Sequence, residues 1–230
     1  MKNAIGVFSC LILLLSCAKK TEDLMQISGD IDGLKKGVLY LKKVEDSSLI
    51  TLDSIALRGN GIFSFEYELE HPELFYLYLE KADNNDVNDF VSFFGEVGEI
   101  SINSTWNQFD AKANINGSKS HVVYASYRKM MSDFNKRDLE LAQAAFSEQD
   151  SLKIDSIEVL AERNFINRYR YLLNFGLTHP NSYVTPYVAL TDGTEANPIY
   201  LDSIFTVLSE EVANSKYGRA LERHLKAISK

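Results

Sequence analysis

Two thiols could do chemistry in this chain, Cys10 and Cys17, and both fall within its first seventeen residues. Beyond position 17 there is no cysteine, so the body can form no disulfide, no cysteine-based zinc site and no Cys-x-x-Cys redox centre. The histidines are His71, His121, His179 and His224; two precede prolines, and none falls at a metal-ligand spacing such as His-x-x-x-His. They are expected to be structural or surface residues. There is no Gly-x-Ser-x-Gly elbow, no phosphate-cradling glycine loop and no dinucleotide fingerprint. Carboxylates number 32, and no pair among them stands out as a general acid and base.

Three stretches carry weaker signals. Asp83-Asn84-Asn85-Asp86-Val87-Asn88-Asp89 alternates oxygen ligands as a calcium loop does, but Asn88 stands where an EF-hand needs glycine and Phe94 where it needs a bidentate glutamate. An exposed hairpin loop is expected there. Trp106, within Asn103-Ser104-Thr105-Trp106-Asn107, could stack on a sugar or peptide, or else pack at a sheet edge. It is the candidate ligand-binding residue of the body. The run Arg163 to Tyr171 mixes arginine and aromatics, yet on a helix its aromatics fall on the apolar face and its arginines on the wet one.

Positioning these residues requires two kinds of element. From Met25 to about Ser118 apolar and polar residues alternate, most clearly in Phe63, Phe65, Tyr67 and Leu69, which predicts strands with one wet face. Strands are expected at 25–30, 37–44, 50–57, 62–70, 74–81, 90–94, 99–103 and 112–116. The turn Arg58-Gly59-Asn60-Gly61 predicts a hairpin pairing the third with the fourth, since Asn-Gly supplies positive φ. After Gly117-Ser118 the period becomes helical. One helix carries Val122, Val123, Tyr127, Met130, Met131 and Phe134 on its apolar stripe, and a second begins near Asp150 and stops at Thr178-His179-Pro180. A short helix follows around Ser182 to Leu190. Asn197-Pro198 then opens a helix lined by Leu201, Phe205, Leu208 and Val212, and a last one bears Tyr217, Leu221, Leu225 and Ile228. The expected fold is α+β, segregated: an N-terminal antiparallel β-sandwich or open barrel over residues 25–118, then an all-helical unit of four or five helices over 119–230.

The N-terminus has one positive charge at Lys2, an uncharged apolar run from Ala4 to Ser16, then Cys17 followed by Ala18, Lys19 and Lys20. That pattern is a secretory signal, far short of the roughly 20 residues a spanning helix needs. The tetrad Leu14-Leu15-Ser16-Cys17 resembles the lipobox of bacterial lipoproteins, which implies cleavage of residues 1–16, lipidation of Cys17 and a short spacer over 17–24. Several acyl chains, at about 0.8 kcal/mol per buried methylene, would hold the chain on a membrane. Ala18 rather than aspartate after the cysteine resembles an outer-membrane sorting signal. The formal net charge is −8, one unit more negative once Lys2 is removed, so a phosphate backbone is repelled and nucleic acid is not expected as a partner.

Five segments in order, Ile27 to Gly33, Val38 to Lys42, Leu52-Asp53-Ser54, Asn60 to Phe65 and Ile115 to Ser118, resemble a β-rich domain of unknown function. That domain forms the N-terminal module of lipid-anchored, thioredoxin-like thiol-disulfide oxidoreductases in Gram-negative bacteria. His179 to Tyr183 and Ser215 to Gly218 are similar to the helical segment that joins it to the thioredoxin domain. The resemblance implies fold, anchoring and location, but redox activity does not carry over to a chain without cysteine after position 17. The function expected is a non-enzymatic binding or assembly role in the cell envelope, with the membrane and an envelope protein as partners and no cofactor. The alternatives are a module docking to a separate thiol-disulfide oxidoreductase, and a glycan-binding or hydrolytic protein with its site between the halves.

Overall fold

Alternation builds the first half as expected, but the way its strands pair differs. The structure, a computed structural model, describes residues 23–81 and 89–228; the leader, Cys17, most of the spacer and Asp83 to Asn88 lie outside the described residues. Among the described residues eight strands form two open four-stranded sheets: β1 Leu24–Asp32, β2 Lys36–Glu45, β3 Ser48–Arg58, β4 Ile62–Glu68, β5 Glu73–Lys81, β6 Asp89–Gly95, β7 Gly98–Thr105 and β8 Asn114–Asn116. The sheet orders are β4-β1-β7-β8 and β3-β2-β5-β6. All pairings are antiparallel except β1 with β7, which is parallel. The inward side chains, including Ile27, Leu39, Leu41, Phe65, Phe75 and Phe93, fill the space between the sheets, each contributing roughly 1.5–3 kcal/mol by leaving water.

The expected hairpin between β3 and β4 does not form. β3 pairs with β2 and β4 with β1, so Arg58-Gly59-Asn60-Gly61 carries the chain from one sheet to the other. Gly61 is pressed on β1: its carbonyl accepts from Ile31 N–H at 3.1 Å, and a Cβ at this position would lie 2.1 Å from the Ile31 carbonyl oxygen. The tight hairpin is β2–β3 instead, where Asp46 and Ser47 both adopt positive φ, 46° and 67°. Two successive left-handed residues match the twist of the flanking strands, and neither is the glycine that the sequence pattern looked for.

Six helices follow among the described residues: α1 Lys119–Ser147, α2 Ser151–Thr178, α3 Val184–Asp192, α4 Pro198–Val207, α5 Glu210–Ala213 and α6 Lys216–Ile228. Three expected starts are capped by side chains: Ser118, Asp150 and Asn197 accept from the N–H groups of His121, Leu152 and Ile199. The buried face of α1 runs through Tyr124, Tyr127 and Met131, whereas Val122 of the expected stripe is 66% exposed. The rotation follows from where α1 lands, with Tyr124 against Phe94 at the end of β6. The helix expected to reach Val212 breaks at Leu208, because Ser209 N–H turns to the Pro180 carbonyl and the Ser209 side chain starts α5.

Strands and helices share a second core. Leu74 and Phe94, facing away from the sandwich, pack with Tyr124, Tyr127, Phe175, Val184 and Val188. Among the described residues no helix is long and apolar enough to cross a membrane.

Candidate functional site

Pro72 ends the β4–β5 connection and delivers Glu73 to the first position of β5, with only 6% of its surface exposed. One carboxylate oxygen accepts from Lys43 of β2 at 3.0 Å and the other from Lys216 at the start of α6. Lys216 also donates to the Val44 carbonyl at 2.8 Å, so one ammonium ties α6 to two adjacent strands. A carboxylate this deep is tolerated because two cations and their hydrogen bonds compensate its desolvation. Burial pulls the Lys43 ammonium down, but hydrogen bonds to Tyr67 and Glu73 and the charge of Glu73 outweigh it and hold its pKa above the ordinary lysine value.

Beside this clamp the helices stand off the sheet and leave a cleft of about 730 Å³. Its walls are Leu74, Tyr76, Tyr187, Leu190 and Tyr217, and the Asp46–Ser47 turn stands at its mouth. Such a volume lies within the range of small-molecule sites, roughly 300–1,000 Å³. The rings brace one another: Tyr187 meets Tyr217 edge-on at 5.1 Å and Tyr124 at 6.0 Å, and Phe94 supports Tyr187 from below at 5.7 Å. Tyr217 accepts a hydrogen bond from Leu74 N–H at 3.2 Å, which fixes α6 against β5 a second time. Burial raises the pKa of the Tyr76, Tyr187 and Tyr217 hydroxyls above the usual phenol value, Tyr187 and Tyr217 strongly, so all three stay protonated near neutral pH. The cleft therefore offers ring faces, neutral hydroxyls and three cationic side chains, Lys43, Lys216 and Arg223.

The cleft is positioned from α1. Ser118 donates to the Phe94 carbonyl at 2.7 Å, and the Glu96 carboxylate takes the N–H groups of Lys119 and Ser120 at 2.6 and 3.0 Å. An acidic side chain at a helix N-terminus satisfies donors that the helix leaves unpaired. His121 Nδ1 accepts from Phe94 N–H at 3.4 Å, and burial lowers its pKa.

Trp106 is not part of this arrangement. It follows β7, with Cδ1 only 2.6 Å from where a Cβ on Gly33 would sit, and Lys81 Nζ lies 5.8 Å from its ring. Lys81 and Glu73 are the two ends of β5, about 26 Å apart along a strand, so Trp106 and the cleft occupy opposite ends of the sandwich. His179 stacks on Phe175 at 4.4 Å and His71 on Tyr183 at 5.5 Å. No group of three metal-ligating side chains occurs among the described residues. In the basic-aromatic run Tyr171 packs on Tyr127 as expected and Arg168 reaches Asn135 of α1, but Phe165 is half exposed. Sequence reasoning missed Lys43, Glu73, Tyr76, Tyr187 and Lys216. The usable signal was a carboxylate directly after a proline and ahead of the apolar run Leu74-Phe75.

Residues 25–124 match the family model of a domain of unknown function, DUF4369. No curated protein and no solved structure matches the chain.

Proposed function

We propose, from the DUF4369 match as a premise, that this chain is a lipid-anchored, non-enzymatic binding protein of the cell envelope. Cys17 carries the acyl group, and the cleft between β5 and α6 holds a small, partly apolar ligand. The observation that carries the reading is the make-up of the cleft. Its rings and aliphatic side chains offer contact area, its hydroxyls are neutral donors, and two of its cations, Lys43 and Lys216, are already engaged by the neighbouring Glu73 carboxylate. Groups arranged in this way hold and orient a ligand. The anchor rests on the leader and on the Leu14-Leu15-Ser16-Cys17 tetrad, and Ala18 favours the outer membrane.

Two measurements test it. Metabolic labelling with an alkynyl fatty acid is expected to mark the protein and to fail with Cys17→Ser. Native mass spectrometry of the purified protein is expected to show a co-purifying small molecule that is lost in the Tyr76→Ala/Tyr187→Ala variant. Turnover of a substrate that disappears on mutation of one carboxylate or histidine would overturn the non-enzymatic reading.

A second reading is an accessory module that docks to a thiol-disulfide oxidoreductase supplied by another chain. It rests on the resemblance of the N-terminal segments, Ile27 to Gly33 through Ile115 to Ser118, to the module that precedes a thioredoxin domain; the family match names no activity. Affinity capture from a native membrane extract that recovers no thiol-disulfide protein would count against it.

A further inference from the structure

One cation of the cleft between β5 and α6 has no counter-charge. The side of α6 that lines the cleft carries Lys216, Ala220 and Arg223, which share one stripe of the helix. Lys216 is engaged by Glu73 and by the Val44 carbonyl, and Lys43 by the same Glu73, so two ammoniums share one carboxylate. Arg223 is exposed and forms no ion pair among the described residues. The positions three and four away from it hold Arg219, Ala220, Lys226 and Ala227, none of them acidic. Glu222, its neighbour in the chain, pairs with Lys226 instead. Ala220 is a single methyl group, which leaves room beside the guanidinium.

The hydroxyls of the cleft also lack acceptors. Tyr217 takes the Leu74 N–H on its oxygen and donates its own hydrogen to no group among the described residues. The Tyr76 and Tyr187 hydroxyls interact with each other, and a pair of hydroxyls that donates once still has a second hydrogen to give. All three stay protonated near neutral pH, because burial resists formation of the phenolate. The acids that line the cleft, Glu45 and Asp46, are exposed on the turn at its mouth, where water and salt screen them. The unmatched groups are therefore donors and a cation, set beside the ring faces of Tyr76 and Tyr187.

We propose, on the reading of the cleft as a ligand site, that its ligand is an organic acid: an apolar body lies against Tyr76 and Tyr187, and one anionic group is held by Arg223. A guanidinium suits the role, since its forked N–H groups meet two oxygens of a carboxylate or sulfonate at once. A neutral hydrocarbon would leave the phenolic hydrogens without acceptors. A cation would meet Arg223 and the excess positive charge of the two lysines on Glu73.

Two dyes that differ by one group test it: anilinonaphthalene sulfonate and its uncharged parent, phenylnaphthylamine. Each is titrated by fluorescence into the purified protein carrying Cys17→Ser, so that no acyl chain competes for the dye. The sulfonate is expected to bind about tenfold or more tightly than the parent. Arg223→Gln should remove that preference while the parent still binds, which also shows that the variant is folded. Arg219→Gln, outside the cleft, should leave the preference intact. Tyr76→Ala/Tyr187→Ala should weaken both dyes. Equal affinity for the two dyes, or a preference that survives Arg223→Gln, would overturn the proposal, and the cleft reading would stand as long as the tyrosine variant still weakened both. Binding of neither dye, or binding indifferent to the tyrosines, would overturn the cleft reading and the proposal with it.

Discussion

Glu73, the first residue of β5, and Lys216, the first residue of α6, are 143 positions apart and in direct ionic contact. This contact, with Lys43 on the other carboxylate oxygen, joins the last helix to the middle of a sheet. Removing one partner of a buried charge cluster is costly because the remaining charges lose their compensation. Glu73→Ala is expected to destabilise the protein by on the order of 3 kcal/mol, since it leaves two lysines facing each other. Lys216→Ala should cost about 1 kcal/mol, its side chain being 40% exposed. Urea midpoints for the two variants, with the slope unchanged, would check the ranking.

Gly59 and Gly61 separate two effects in the connection that crosses between the sheets. Gly59 has φ of 89° and open space around it, so Gly59→Ala meets only backbone strain, about 1 kcal/mol. At Gly61 a methyl group would strike the Ile31 carbonyl. Gly61→Ala is expected to cost clearly more, about 2 kcal/mol or above. Thermal melts of the two variants side by side decide the point; equal losses would contradict the close approach to β1.

Ser47 gives the opposite sign. Its φ of 67° in the β2–β3 turn is left-handed, a region where glycine carries no steric penalty. Ser47→Gly should stabilise the fold by about 0.5 kcal/mol, the relief being partly offset by the greater freedom of glycine when unfolded. Because the turn borders the cleft, binding of a cleft ligand should change by less than the Tyr76→Ala/Tyr187→Ala loss.

His121 should make stability depend on pH. Burial lowers its pKa below the ordinary 6.5, and its neutral ring accepts the Phe94 N–H. Below about pH 6.5 the unfolded chain takes up a proton that the folded chain resists, so stability falls as the pH drops through that value and levels off once the folded ring is also protonated. Denaturation at pH 7.5 and 5.5 should show this loss, and the pH dependence should shrink in His121→Asn. An unchanged profile in the variant would assign the acid sensitivity to other groups.

Much of the architecture was legible in local pattern. Phe63, Phe65 and Leu69 alternate with glutamates and a serine, and that period-2 pattern places each on a known face of a strand whatever its partner. Asp150 and Asn197-Pro198 announce helix starts because a cap acts within three residues. Where the outcome depends on segments far apart, the same reasoning failed. Asn60-Gly61 has hairpin chemistry, yet β4 pairs with β1 because the inner faces of two sheets must cover each other. The apolar residues of α1 did not reveal that Tyr124 rather than Val122 would face inward, since the end of β6 sets the rotation of the helix.

The candidate site divides in the same way. The amino-acid order alone determined that no thiol lies beyond Cys17 and that a β-rich half precedes a helical one. Composition and short-range spacing are properties of the chain itself. Only the tertiary structure decided that Lys43, Glu73 and Lys216 form one clamp, that Tyr76, Tyr187 and Tyr217 wall one cleft, and that Trp106 stands at the other end of the sandwich. A strand and a helix carry no mark of which neighbour they will face. Contacts across more than a hundred residues arise when two apolar surfaces are buried together, and they exist only once the chain has folded.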